Sequence, residues 1–253
     1  MGEVCAHRPR IYPKTQCPGL ALAATGTPIG RADAAMAPTL CNNGRHPPMP
    51  DPLTFPVPSQ FETRRLILRS FEVADAAALH DALSESIQEL RKHLWFLPWV
   101  AQEQNLASAE TRCRTAQAHF LVRTDLPYLA FSKETGRLIG SVGLHRTNWA
   151  EPTTEVGYWI RSSEVGRGYA SEGARALVDW ALTELGAIRV ELVTLEQNPG
   201  SRAVAERCGF TLEGVHRNVF RGPDGALRHR YVYARLPGPH TDAGLPPSTQ
   251  ARP

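Results

Sequence analysis

EVGRGYASEGARALVDWAL, residues 164–182, sets Gly166 and Gly168 one residue apart, directly before a run of helix-forming residues. Glycine costs a helix roughly 0.5–1 kcal/mol relative to alanine, so Gly166, Gly168 and Gly173 point to a need for bare backbone. From Gly168 onward Ala170, Ala174, Leu177, Val178, Ala181, Leu182 and Leu185 recur at steps of 4, 3, 1, 3, 1 and 3, the stripe of a helix lying on a sheet, and Gly186 ends it. EVGYWI (155–160) just ahead reads as a strand. A loop running from a strand end into a helix start aims unpaired N–H groups and the positive end of the helix dipole at one point, where an anion fits. Arg161 and Arg167 add positive charge. A merely tight connection is the other reading of Gly-x-Gly. Neither G-x-x-x-x-G-K-[ST] nor G-x-G-x-x-G occurs, which weakens nucleoside-triphosphate and dinucleotide readings.

Outward from this stretch the pattern is that of one mixed α/β domain over 61–236. RRLILRSF (64–71) alternates as a strand, and VADAAALHDALSES follows as a helix. LRKHLWFLPWV (90–100) is aromatic-rich, and a second helix is expected over 108–122, opening on a Ser-x-x-Thr start. Strands at 127–132, 137–146 and 153–160 read as an antiparallel meander leading into the glycine loop and its helix. IRVELVTL (188–195) fits a buried strand, NPGSRAVAERCGF (198–210) a short helix ended by Gly209, and FTLEGVH and LRHRYVYARL two last strands joined at RGPDG.

The flanks differ in composition. Residues 1–58 are rich in Pro, Gly, Ala and Thr without periodicity, and 237–253 are equally poor in core-forming residues, so both are expected to be disordered tails. Met36 and Met49 lie in the first; translation starting at Met49 is an alternative to a genuine tail. No apolar run reaches the roughly 18 residues of a membrane span and no signal-peptide pattern is present, so a cytoplasmic protein that engages no membrane is expected. Twenty-eight Lys plus Arg against 25 Asp plus Glu give +3, too weak a bias to argue for direct nucleic-acid binding. Five cysteines without C-x-x-C spacing support neither a disulfide framework nor a metal site, and free thiols are expected.

EVGYWI followed by VGRGYASEGARAL, and then NPGSRAVAERCGFTLEG, resemble the Gcn5-related N-acetyltransferases, specifically the group that acetylates the amino termini of ribosomal proteins. FETRRLILR and HLWFLPW fall in the right order, so the resemblance covers 61–236. It implies a three-layer fold, a central, mostly antiparallel mixed sheet flanked by helices. It also implies acetyl-CoA as co-substrate, without a metal, and a primary amine as acceptor, a protein amino terminus or a small amine, acted on by a monomer or homodimer. By the same resemblance the loop Val165, Gly166, Arg167, Gly168, Tyr169 and Ala170 grips the pyrophosphate, Tyr158 and Ile160 pair with the pantetheine arm through their backbone, and Asn198 hydrogen-bonds it or simply starts a turn. Two positions depart from the family pattern. Val165 stands where Gln or Arg is usual, and Phe220 where a carboxylate is expected.

Acetyl transfer to an amine needs a deprotonated amine, a polarised carbonyl and a proton for the thiolate. Ser201, at the N-x-x-S position, is the candidate for the last role, with helix capping as its alternative. Glu155 is the candidate base, or a strand-edge salt-bridge partner; His145 and His229 are alternatives. Tyr231 and Tyr233 leave open that one faces the site and the other the core. HLWFLPW is expected to wall the acceptor side, Trp95 and Trp99 alternatively serving the core, with His93 a solvated flank. Only Glu103 offers a carboxylate in LRKHLWFLPWVAQEQ, which favours a peptide over a polycationic small amine such as an aminoglycoside or polyamine. A catalytically degenerate acyl-CoA-binding module and a ribosome-associated RNA-binding protein are the rival readings.

Overall fold

The structure, a computed structural model, describes residues 51–238. The expected tails therefore lie outside it except for 51–58 and 237–238, as do Cys5, Cys17, Cys41, Met36 and Met49. Along the chain come β1 (Gln60–Glu62), β2 (Leu66–Ser70), α1 (Ala76–Leu94), α2 (Pro98–Ala101), α3 (Leu106–Leu121), β3 (Leu126–Ser132), β4 (Leu138–Asn148) and β5 (Thr153–Ile160). Then follow α4 (Tyr169–Thr183), β6 (Arg189–Leu195), α5 (Pro199–Arg207), β7 (Thr211–Arg221) and β8 (Leu227–Arg235).

All eight strands join one sheet in the order β1-β2-β3-β4-β5-β6-β8-β7. Every neighbouring pair is antiparallel except β5 and β6. That parallel pair needs a crossover, which the glycine loop and α4 supply. The two faces are dressed differently. Val156 and Val190 join Ala174, Leu177, Val178 and Ala181 of α4 in the larger core, while Trp159 joins Leu79, Leu83, Ala109 and Cys113 of α1 and α3 in the smaller one. Gly173 lies against Val142, Leu66 and Leu68, so here the bare backbone lets α4 sit close on the sheet.

Several expectations change in detail. The strand expected at 64–71 is preceded by the short β1, forming a hairpin with it. Helix α3 starts earlier than 108, because Asn105 caps it: Asn105 Oδ1 accepts from Ser108 N and Ser108 Oγ accepts from Asn105 N, each at 2.9 Å. The end of the presumed tail is packed. Phe55 lies against Trp149 and Trp180 at ring distances of 5.6 and 6.4 Å, and Tyr128 Oη donates to the Pro58 carbonyl at 2.7 Å. Composition hid this, since one aromatic among prolines gives no period. Tyr231 and Tyr233 are two apart on a strand and so share a face; both pack against the larger core, and neither faces away from it. Among the described residues, no helix is long and apolar enough to cross a membrane, and Cys113 and Cys208 are buried free thiols.

Candidate active site

The site forms where β5 and β6 part. Their pairing runs only from Thr153, Thr154 and Glu155 to Arg189, Val190 and Glu191. Beyond it β5 stays on β4 and β6 on β8, leaving a cleft. Arg161 N donates to the Ile139 carbonyl at 2.7 Å, which fixes the odd-numbered residues of β5 as the ones bonded to β4. Strand alternation then turns the backbone groups of Val156, Tyr158 and Ile160 into the cleft. Tyr158 and Ile160 among them are the positions expected to pair with a pantetheine arm.

At the open end of the cleft stands the glycine loop. Gly166 and Gly168 both have φ of +81°, a left-handed conformation that other residues rarely adopt, so the need for bare backbone is conformational at these two positions. Gly168 is the N-cap of α4 and offers no side chain. Among the described residues, no acceptor takes the N–H groups of residues 166 to 171. The start of α4 thus offers unclaimed amides together with the positive end of its dipole. Val165 is 66% exposed and brings no polar group. Arg167 is exposed, with Glu164 3.1 Å away. Tyr169 contributes backbone only, as its ring is buried beneath Arg65 at 4.3 Å. Ala170 packs against the larger core.

Arg161, expected to add charge at the loop, is instead 2% exposed and held by Asp81 and Glu85 of α1. Its guanidinium ties α1 to the loop stem, since Glu85 Oε1 also accepts from Ser163 N at 2.8 Å and Ser86 Oγ from Ser162 N at 3.0 Å. The bonds from Ser163 and Arg161 hold the Glu85 carboxyl down at about 2. Of the two like-charged residues near the loop, Arg161 is buried and Arg167 exposed, a distinction that only tertiary contacts make.

Ser201 is not the cap of α5. Asn198 is the N-cap of α5, its Oδ1 accepting from Ser201 N at 3.0 Å, so Asn198 does the capping. The Ser201 hydroxyl instead meets the Tyr158 hydroxyl at 2.9 Å. Burial raises the Tyr158 pKa well above its ordinary value, so this phenol stays protonated. The Tyr158–Ser201 pair joins the α5 start to the cleft edge. Sequence reading placed both residues near the cofactor but not in one hydrogen bond.

Glu155 lies where the strands part, on the face opposite α4, and its carboxylate accepts from Arg146. It lines a groove of about 460 Å³ with Arg146, Arg189, Glu191, Glu213, His216 and Arg230. Arg189 is shared by Glu191 at 2.9 Å and Glu213 at 2.5 Å. These carboxylates come from three strands, so a count along one segment missed them; Glu103 is exposed. His145 has Nδ1 3.4 Å from Asp125, and His229 Nδ1 accepts from Asn218 N at 3.1 Å, so each has another partner. HLWFLPW divides. Trp99 packs on Trp159 at 6.4 Å and under Arg112 at 3.6 Å, serving the core. Phe96 stacks on Phe220 at 4.3 Å, joining the α1–α2 corner to the β7–β8 hairpin. His93 is not a solvated flank: its Nδ1 is buried without a partner among the described residues, and burial lowers its pKa.

A mixed sheet with one splayed parallel pair and a helix start with unclaimed amides match the fold that the resemblance implies, and comparisons with known proteins identify the family. The family model described as Acetyltransferase (GNAT) domain matches residues 65–211. The putative ribosomal N-acetyltransferase YdaF of Bacillus subtilis is 32% identical over 173 residues, 68% of this chain and 90% of that protein. The ribosomal-protein-serine acetyltransferase of Escherichia coli is 25% identical over 154 residues, 57% of this chain and 84% of that one. Among solved structures, RimL, a ribosomal L7/L12 α-N-protein acetyltransferase in complex with coenzyme A, superposes with a TM-score of 0.64 at 22% identity, covering 72% of this chain and 97% of that one. The microcin C7 self-immunity acetyltransferase MccE, in complex with acetyl-CoA and AMP, gives 0.64 at 20% identity over 71% and 97%. The chain belongs to the GNAT acetyltransferase family and is an N-acetyltransferase.

Proposed function

We propose that the chain transfers acetyl from acetyl-CoA to a protein amino terminus, as the names of its ribosomal-protein relatives suggest, and that it does so in the cytoplasm. The unclaimed amides of 166 to 171 at the mouth of the β5–β6 cleft carry this reading. They offer the diphosphate of the donor a cluster of fixed N–H dipoles, with Gly166 and Gly168 keeping side chains out of the way. The free backbone of Tyr158 and Ile160 suits an amide-bearing arm laid along the strand. The donor supplies an activated acetyl thioester, whose C–S bond breaks as the C–N bond forms.

The residues divide the proton work. Glu155, on the acceptor face of the cleft, takes the proton of the incoming ammonium directly or through water, with Arg146 holding its carboxylate in place. The Tyr158–Ser201 pair presents a protonated hydroxyl for the departing thiolate. The groove beside Glu155 favours a peptide over a polycation, because Glu155, Glu191 and Glu213 are each paired with an arginine and leave little net negative charge.

Mixing the protein with acetyl-CoA and a panel of amino-terminal peptides, aminoglycosides and polyamines tests the reading through thiol release. Release with peptides supports it. Release only with polyamines or aminoglycosides moves the acceptor class, and coenzyme A binding without release to any amine points to a binding module.

A further inference from the structure

The amides at the glycine loop have to be aimed as well as free. The peptide between Arg167 and Gly168 is trans, as are all those of the described residues, so its carbonyl and its N–H point in opposite directions. Arg65, in the turn between β1 and β2, donates from Nη1 to that carbonyl at 2.9 Å. Holding the Arg167 carbonyl toward Arg65 turns the Gly168 N–H away from Arg65, with the other unclaimed amides of the loop.

Arg65 is itself held rigidly. Its Nε donates to Glu172 Oε2 at 2.6 Å and its backbone N to Glu172 Oε1 at 2.7 Å. Thr63 Oγ1 donates to the same Oε1 at 2.6 Å, and the guanidinium lies over the Tyr169 ring. Burial alone would raise the Glu172 pKa, but the bonds from Thr63 and Arg65 outweigh it and lower it, so the anchor stays ionised. The Arg65 Nη2 has no partner among the described residues, and only 3.6 Å separates it from where a Gly168 β-carbon would lie. Because Val165 gives the loop no polar side chain, the orientation of its peptides matters all the more.

We propose that Arg65 is a positioning residue for the donor's diphosphate: anchored by Glu172, it sets the Arg167–Gly168 peptide so that the Gly168 amide faces the phosphate, a role that rests on the donor reading above. Lysine at this position keeps an ion pair with Glu172 but offers one compact ammonium in place of the rigid fork whose Nε and Nη1 reach the carboxylate and the carbonyl separately.

Arg65→Lys and Arg65→Met are compared with the parent by calorimetry with coenzyme A, by 15N–1H NMR titration with pantetheine, which lacks the diphosphate, and by thermal unfolding. Both variants are expected to unfold cooperatively, to move the Gly168 amide resonance, and to lose about 10- to 100-fold in coenzyme A affinity, the range of one hydrogen bond to a charged group, with pantetheine affinity unchanged. Affinity for coenzyme A within twofold of the parent overturns the role. Equal losses for both ligands overturn it too, in favour of a purely structural Arg65. A parent that binds neither ligand overturns the donor reading itself, and this role with it.

Discussion

Replacing Gly168 by alanine and by aspartate separates backbone geometry from charge at the loop. Gly168 sits at φ +81°, where a β-carbon costs roughly 1–2 kcal/mol. That β-carbon would meet only the tip of Arg65, at ordinary contact distance, so no clash is added. If the loop relieves the strain by leaving its binding geometry, affinity for coenzyme A falls about 5- to 30-fold in both variants. Aspartate adds a negative charge beside the diphosphate. At a separation of roughly 5 Å and an effective dielectric of about 20, a pair of unit charges repels by about 3 kcal/mol, a further loss of about 100-fold. Because the loop is exposed, the extra loss should shrink as salt rises and the Debye length falls below about 10 Å. Calorimetric titration at two ionic strengths, with thermal unfolding as a control for the fold, measures both parts. Alanine and aspartate variants that bind coenzyme A equally well would refute an anion at this loop.

Tyr158→Phe and Ser201→Ala should each lower kcat by about 100-fold or more while leaving coenzyme A affinity within a few-fold, because each removes one end of the proton-donating pair; steady-state kinetics alongside calorimetry shows whether turnover and binding separate. Glu155→Gln should remove the rise of kcat/KM with pH that an ionising base produces, and a variant whose pH profile matches the parent's clears Glu155 of that role. Glu85, lowered to about 2 in the folded protein from an ordinary 4.5, contributes stability that is complete above about pH 4.5 and is lost as pH falls toward 2. Melting temperatures of the parent and of Glu85→Gln should therefore differ at pH 6 and converge near pH 2, and a gap that holds constant would separate Glu85 from acid unfolding.

The glycine loop and its helix were legible because their signals are local. A left-handed cap needs glycine, and the stripe from Ala170 to Leu185 needs only period 3.6. The order of elements followed from similar signals, and family resemblance supplied the cleft. What stayed hidden depends on residues far apart in the chain. Nothing in RRLILRS separates Arg65, which grips the loop, from Arg64, which is exposed. Arg161 looked like a loop cation, yet Asp81 and Glu85 bury it in a network. Ser201 had two uses on paper, and only the position of Asn198 one turn earlier assigned the cap. Phe220, read as a lost carboxylate, has a partner in Phe96 across more than a hundred residues.

A crystal structure of the protein with coenzyme A tests the central claim most directly. Diphosphate oxygens are expected within about 2.7–3.2 Å of the amides between Gly166 and Ser171, with the arm along Tyr158 and Ile160. A diphosphate held elsewhere on the molecule, with those amides facing only water, would contradict it.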